Sequence, residues 1–151
     1  MSSPSPRQIP APGHHGQVDV QDVRDFIFDR TLDDNQIALD LVFSDEEITN
    51  AMRFAAMRYN ETTPYVDTIN PAYVPYGMMF LNGIAYGLYL SKLQSLSRQD
   101  LTYQAGNMTI DAIKPQIGHL QNYVKLFKED FERMVKERKL SINISNCFRA
   151  F

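Results

Sequence analysis

Cys147 and the histidines His14, His15 and His119 are the side chains of this sequence best suited to nucleophilic or metal chemistry. Their surroundings assemble neither. Cys147 has no histidine nearby in sequence and no expected helix N-terminus to lower its thiol pKa, so a thiolate nucleophile lacks an activating partner. The His14-His15 pair lies among prolines and serines, with no Cys, Asp or Glu close enough to complete a tetrahedral metal site. His119 falls between two apolar positions of a helical stripe and is expected on a solvated face rather than as a general base. Carboxylates gather at Asp33-Asp34 and Asp45-Glu46-Glu47, without the alternating spacing or central glycine of a calcium loop. Helix capping and solubility account for them. No glycine-rich phosphate loop and no serine elbow occurs in the sequence. The bases Lys125, Lys128, Arg133, Lys136, Arg138 and Lys139 interleave with Glu129, Asp130, Glu132 and Glu137. That pattern reads as an ion-paired outer face of a helix, not as a stripe for sequence-specific nucleic-acid binding. No catalytic residue, cofactor site or metal site is therefore expected, and the chain is read as a non-enzyme.

The elements must then explain what the chain is for. A stripe of Ile113, Ile117, Leu120, Val124, Phe127, Phe131 and Met134 advances in steps of four and three, the heptad spacing of one long helix with a continuous apolar seam. It follows an uncharged run from Thr68 to Ser91. Within that run a second helix is predicted from about Tyr76 to Ser97, apolar almost all round at first, with Leu81, Ile84 and Leu88 in the core. Tyr76 to Leu90, interrupted by Asn82 and three glycines, falls short of the roughly 20 apolar residues a membrane span requires, and no membrane role is expected. Gly83 and Gly87 are expected to make room for a bulky partner such as Tyr123 or Phe127. Ala105-Gly106-Asn107 is a turn signal within 102–110, so the two helices are expected to form an antiparallel hairpin. Pro115 falls in an early turn of the second helix, where a missing amide costs little.

Upstream, Asp19 is a candidate N-cap for a short helix carrying Val20, Val23, Phe26 and Ile27. Ile37, Leu39, Leu41 and Phe43 alternate as in a short extended segment. Ser44-Asp45-Glu46-Glu47 is a capping box that opens a helix with Ile48, Ala51, Met52, Ala55 and Tyr59 on one face, ending near Asn60. Residues 61–75 form a Pro-containing loop whose Tyr65, Val66, Ile69 and Tyr73 are apolar enough to belong to a partner interface. After Lys139 the pattern changes to the alternating Ser141-Ile142-Asn143-Ile144 and then Cys147-Phe148-Arg149-Ala150-Phe151. Ile142, Ile144, Phe148 and Phe151 are read as a second interface, one that would add a strand to a sheet edge, seat in a pocket or pack back on its own domain.

The length of 151 residues suits one domain, large enough to bury roughly 70% of its extended surface. Three segments are expected: a flexible Pro-rich arm at 1–17, a helical bundle domain at 18–140, and a C-terminal interaction tail at 141–151. The lone cysteine and an N-terminus without a secretory pattern fit a reducing cytoplasmic setting. Net charge is −3, yet residues 19–61 carry eleven acids against four bases while residues 92–151 carry ten bases against six acids. Copies packed side by side would set acidic against basic surfaces, which hints at head-to-tail self-association.

Taken together, Phe43-Ser-Asp-Glu-Glu-Ile48 with Ala51, Ala55 and Tyr59-Asn60, the Thr-Pro loop, the Gly/Ala/Leu-rich helix, and Arg98 to Gly106 leading into the last helix and Ser141-Ile-Asn143 resemble phage virion proteins of the head-tail connector type. The resemblance implies a mainly α bundle repeated in a homo-oligomeric ring, expected to be twelve-fold. It implies a portal protein above and a further neck or tail protein below as partners, with DNA passing through the lumen without sequence-specific binding. The expected location is the virion, assembled in the host cytoplasm. Two other readings stand beside it. One is a cytoplasmic binding or regulatory module dimerising through the heptad seam, and the other is a small enzyme whose site forms only between subunits.

Overall fold

The structure is a computed structural model that describes residues 16–29, 43–105 and 113–150, with side chains placed for 16–29, 43–98 and 116–150. The protein is mainly α, and its described residues form four helices: α1 (Val20–Ile27), α2 (Asp45–Glu61), α3 (Met78–Ala105) and α4 (Ile113–Arg149). The expected extended segment from Ile37, the arm up to His15, the turn at 106–112 and Phe151 lie outside the described residues.

Local sequence sets the first two helix starts. Asp19 accepts the amide of Asp22, whose carboxylate accepts the Asp19 amide in return. Ser44 and Glu47 repeat the same reciprocal box at α2. Each box satisfies two amides that a helix start would leave unpaired. The far end of α1 is closed by Phe28 in the left-handed region at φ 57°, an unusual place for a bulky residue. The neighbouring Asp29 holds that turn: its amide donates to the Arg24 carbonyl at 3.0 Å, and its carboxylate accepts the Arg24 guanidinium at 2.8 Å and the Phe43 amide at 3.1 Å. Arg24 also reaches Asp45 at 2.6 Å, so a buried cation ties α1 to the start of α2.

The core lies between α2, α3 and α4. From Met79 to Tyr86, and again at Leu88, α3 is buried on every side, which is why its sequence lacks charge there. Small residues set its distance from α2: a Cβ on Gly83 would stand 3.2 Å from the Ala55 Cβ, and one on Gly87 would stand 3.6 Å from that of Ala51. The aromatic rings these glycines admit are Phe131, 2.8 Å from the Gly83 position, and Phe54, 3.0 Å from the Gly87 position. The expected partners Tyr123 and Phe127 instead stack on Tyr89, with ring centroids 5.5 and 5.6 Å away. The reason is register. Asn82 meets Met134, Gly83 meets Phe131 and Tyr89 meets Phe127, so α3 and α4 run antiparallel and the rings one and two turns earlier on α4 fall opposite Tyr89.

Two boundaries differ from expectation. The third helix continues past Ser97 to Ala105, since nothing before Gly106 breaks it. The last helix continues past Lys139 to Arg149, so residues 141–144 are helical and the expected tail boundary at 140 falls inside α4. A four-residue alternation is weak against a helix already nucleated over many turns, and no Gly or Pro lies between Lys139 and Arg149 to stop propagation.

Candidate interaction surface

The C-terminal end of α2, the loop at 62–77 and the distal half of α4 converge at one end of the molecule. Tyr59, the last buried residue of α2, donates its hydroxyl to the Asp67 carboxylate at 2.6 and 2.7 Å. Arg138 lies 3.9 Å from the same carboxylate, and its guanidinium stands 5.7 Å from the Tyr59 ring centroid. Lys139 is fully buried. Its ammonium donates to the Thr62 carbonyl at the C-cap of α2 and stands 4.6 Å from the Tyr59 ring and 5.9 Å from the Tyr65 ring. A cation there complements the negative end of the α2 dipole and the aromatic faces above it.

Burial shifts both titrating partners. Loss of solvent, followed by the hydrogen bond to Asp67, pushes the Tyr59 hydroxyl up to about 12. Loss of solvent lowers the Lys139 ammonium, partly opposed by the Asp67 charge. The loop is fixed further by Asn60, which donates to the Ile69 carbonyl at 2.8 Å and accepts its amide at 2.7 Å. Val74 buries itself against the core and takes the Val18 amide on its carbonyl at 2.8 Å.

With the loop pinned in this way, Tyr65 and Tyr73 are left exposed, while Val66 and Ile69 are half-buried. On α4, Ile142 is half-buried, and Ile144 and Phe148 are exposed. The two expected interfaces therefore adjoin at Lys139, between Tyr65 of the loop and the distal turns of α4. Of the expected core, Leu81, Ile84, Leu88 and Phe131 are buried, whereas Ile117, Leu120, Val124, Phe127 and Met134 are only half-buried. The side chain of Ile113 lies outside the described residues. The seam drifts as a straight helix does against a heptad, so that Val135 and Lys139 take the inner positions beyond Phe131.

Sequence reasoning placed Lys139 on an ion-paired outer face, and the structure corrects this, while Arg138 is exposed and pairs with Asp67. Arg133 does pair along the helix, with Asp130 at 3.1 Å and Glu137 at 3.4 Å, as the outer-face reading expects. Lys139 instead faces inward, because steps of four, four and three from Phe131 through Val135 and Lys139 to Ile142 continue the inner stripe. Leu140 and Asp67 were also missed. Leu140 could have been found from its spacing to Ile144 and Phe148, four residues apart each time.

Among the described residues, no group of three or more His, Cys, Asp or Glu side chains is placed to hold a metal ion, and no helix is long and apolar enough to cross a membrane. Two small grooves of about 120 and 150 Å³ flank α2, with Arg53 on one and Glu47 on the other. No family model matches this chain, and no curated protein or solved structure matches it either.

Proposed function

We propose that this protein is a non-enzymatic structural subunit of a phage neck, part of a ring joining portal to tail around the DNA channel. The observation that carries the reading is the distal part of α4. It runs ten residues beyond the buried Lys139, to Arg149, and presents Leu140, Ile144 and Phe148 along one face. A helix that runs on beyond the body it packs against and keeps large apolar side chains in water is built for contact with another surface. Tyr65, beside Lys139 on the pinned loop, enlarges that surface. The excess of acids before residue 62 and of bases after residue 91 suits lateral contacts between like subunits. The portal and a further neck or tail protein would take the remaining exposed faces.

Electron microscopy of the purified chain at high concentration tests this. Closed rings with a central channel are the expected result. Particles of a single compact monomer under every condition, or only two-fold dimers, would contradict it. Dimers would instead favour a binding module that associates through α4, a reading supported by the exposure of Tyr123 and Leu126 on the proximal half of that helix.

A further inference from the structure

The distal stripe of α4 and a groove on the same chain differ in shape and charge. Leu140 is 56% exposed, Ile144 47% and Phe148 78%, and their spacing of four places them on one helix face. From Arg138 onward the sequence contains bases, Arg138, Lys139 and Arg149, and no acid. The groove between α2 and α3 is also apolar but carries an acid in place of bases. Phe43, Ala51, Gly87 and Leu88 make it apolar, Glu47, Asn50 and Ser91 line it beside them, and its volume is about 150 Å³. An apolar cavity of about that volume accommodates a benzene ring. The second groove, of about 120 Å³, carries Arg53 and would repel Arg149.

A single molecule cannot bring the two together. Arg58 meets Glu132 and Thr62 meets Lys139, so α2 and α4 run parallel, and α4 leaves the body at the C-terminal end of α2. Glu47 stands at the other end of α2. At 1.5 Å per residue the separation from Glu47 to Phe148 is about 35 Å along the helix axes. Phe148 can therefore reach such a groove only on another molecule.

We infer that Phe148 of one copy seats in the α2–α3 groove of the next copy, with Arg149 set against that copy's Glu47. Donor and acceptor lie at opposite ends of the chain, so the contact is head-to-tail. It generates a ring if the rotation closes and a filament if it does not. A few side chains in one groove bury far less than the roughly 800 Å² per partner of a stable interface, so each contact is weak and the assembly depends on concentration. The inference names the lateral partner in the ring reading and rests on that reading for closure.

Cys147, next to Phe148 and exposed, gives a direct test in the full chain. With Asn50→Cys at the groove, mild oxidation should yield a ladder of disulfide-linked dimers, trimers and higher species. The unaltered chain, with one thiol, reaches dimers at most. Phe148→Asp on the donor side and Ser91→Tyr on the acceptor side should each reduce the ladder at least tenfold, and Arg149→Glu should reduce it several-fold. All three positions are exposed, and circular dichroism checks that the helices persist. A yield in N50C no higher than the Cys147–Cys147 dimer, or a ladder that survives Phe148→Asp, overturns the contact. If rings form equally well with Phe148→Asp, the contact is wrong and the ring stands. If the ladder forms but micrographs show open filaments, the contact holds and the ring reading fails.

Discussion

Lys139 joins three parts of the molecule that are distant in sequence. Its stem fills the junction between α2 and α4, and its ammonium closes the α2 carbonyl end beneath Tyr59 and Tyr65. The packing of the stem outweighs the charge, because a buried ammonium gives back in desolvation much of what its hydrogen bond contributes. Lys139→Ala should therefore lower unfolding stability by about 2–4 kcal/mol, and Lys139→Met by less than about 1.5 kcal/mol. Urea denaturation of the two variants measures the difference, and equal losses would show that the charge, not the stem, dominates. The partner Tyr59 gives a pH signature. Its hydroxyl ionises at about 12 in the fold, against about 10 when unfolded. A raised pKa in the folded state means stabilisation fully present below about pH 10 and lost as pH rises through about 12. Lys139, with its folded pKa depressed, acts in the opposite sense: its burial cost is felt at neutral pH and fades as pH rises toward about 10.4. Phenolate absorbance should thus show one tyrosine ionising near pH 12 that disappears in Tyr59→Phe, and that variant should flatten the alkaline fall in stability. A titration unchanged by Tyr59→Phe would remove Tyr59 from this role. Tyr59 on one face of α2 and Tyr65 in an apolar loop were legible in the sequence, but their meeting at Lys139, one base among many, was not. Its burial depends on which turn of α4 meets the end of α2.

At the scale of elements, closeness between helices is set by glycine and alanine. Gly83→Ala should destabilise the fold by about 1–3 kcal/mol despite the better helix propensity of alanine, because its Cβ would stand 2.8 Å from the buried Phe131 ring. Gly118→Ala on α4 meets nothing within 4 Å and should stabilise by about 0.5–1 kcal/mol. Thermal denaturation of the pair separates packing from propensity, and a Gly83→Ala that stabilises as Gly118→Ala does would contradict the close α3–α4 approach. The Asp19 N-cap, the Ser44–Glu47 capping box and the starts of α1 and α2 were legible, since a cap is decided by four consecutive residues; the return bond from Asp22 that completes a box at α1 was not read. The small face of Ala51 and Ala55 was legible for the same reason of local spacing, and so was the burial of α3 from its lack of charge. The ends of α3 and α4 were not. A turn signal and a short alternation fix a boundary only when the preceding helix is weak, and these helices are long. The ring opposite each glycine also escaped sequence reading, because it depends on the α3–α4 register, which no local pattern encodes.

For the whole molecule, the described body separates into a packed bundle and an end of α4 that adds little to it. Among the described side chains, residues 141–151 contribute only the half-buried Ile142 to the packed body, so removing them should shift unfolding stability by less than about 1 kcal/mol while abolishing self-association. A large loss of stability in the truncated chain would mean that this end belongs to the core. The charge split along the sequence, acids toward one end and bases toward the other, was legible. The distance between those ends was not, because it follows from the parallel run of α2 and α4. Sedimentation velocity of the full chain across a wide concentration range is the most direct test of the proposal that this protein works through its contact surfaces. Reversible growth from monomer to a closed assembly, lost with Phe148→Asp, is the predicted result. A monomer whose sedimentation stays constant at every concentration, with or without the substitution, would contradict it.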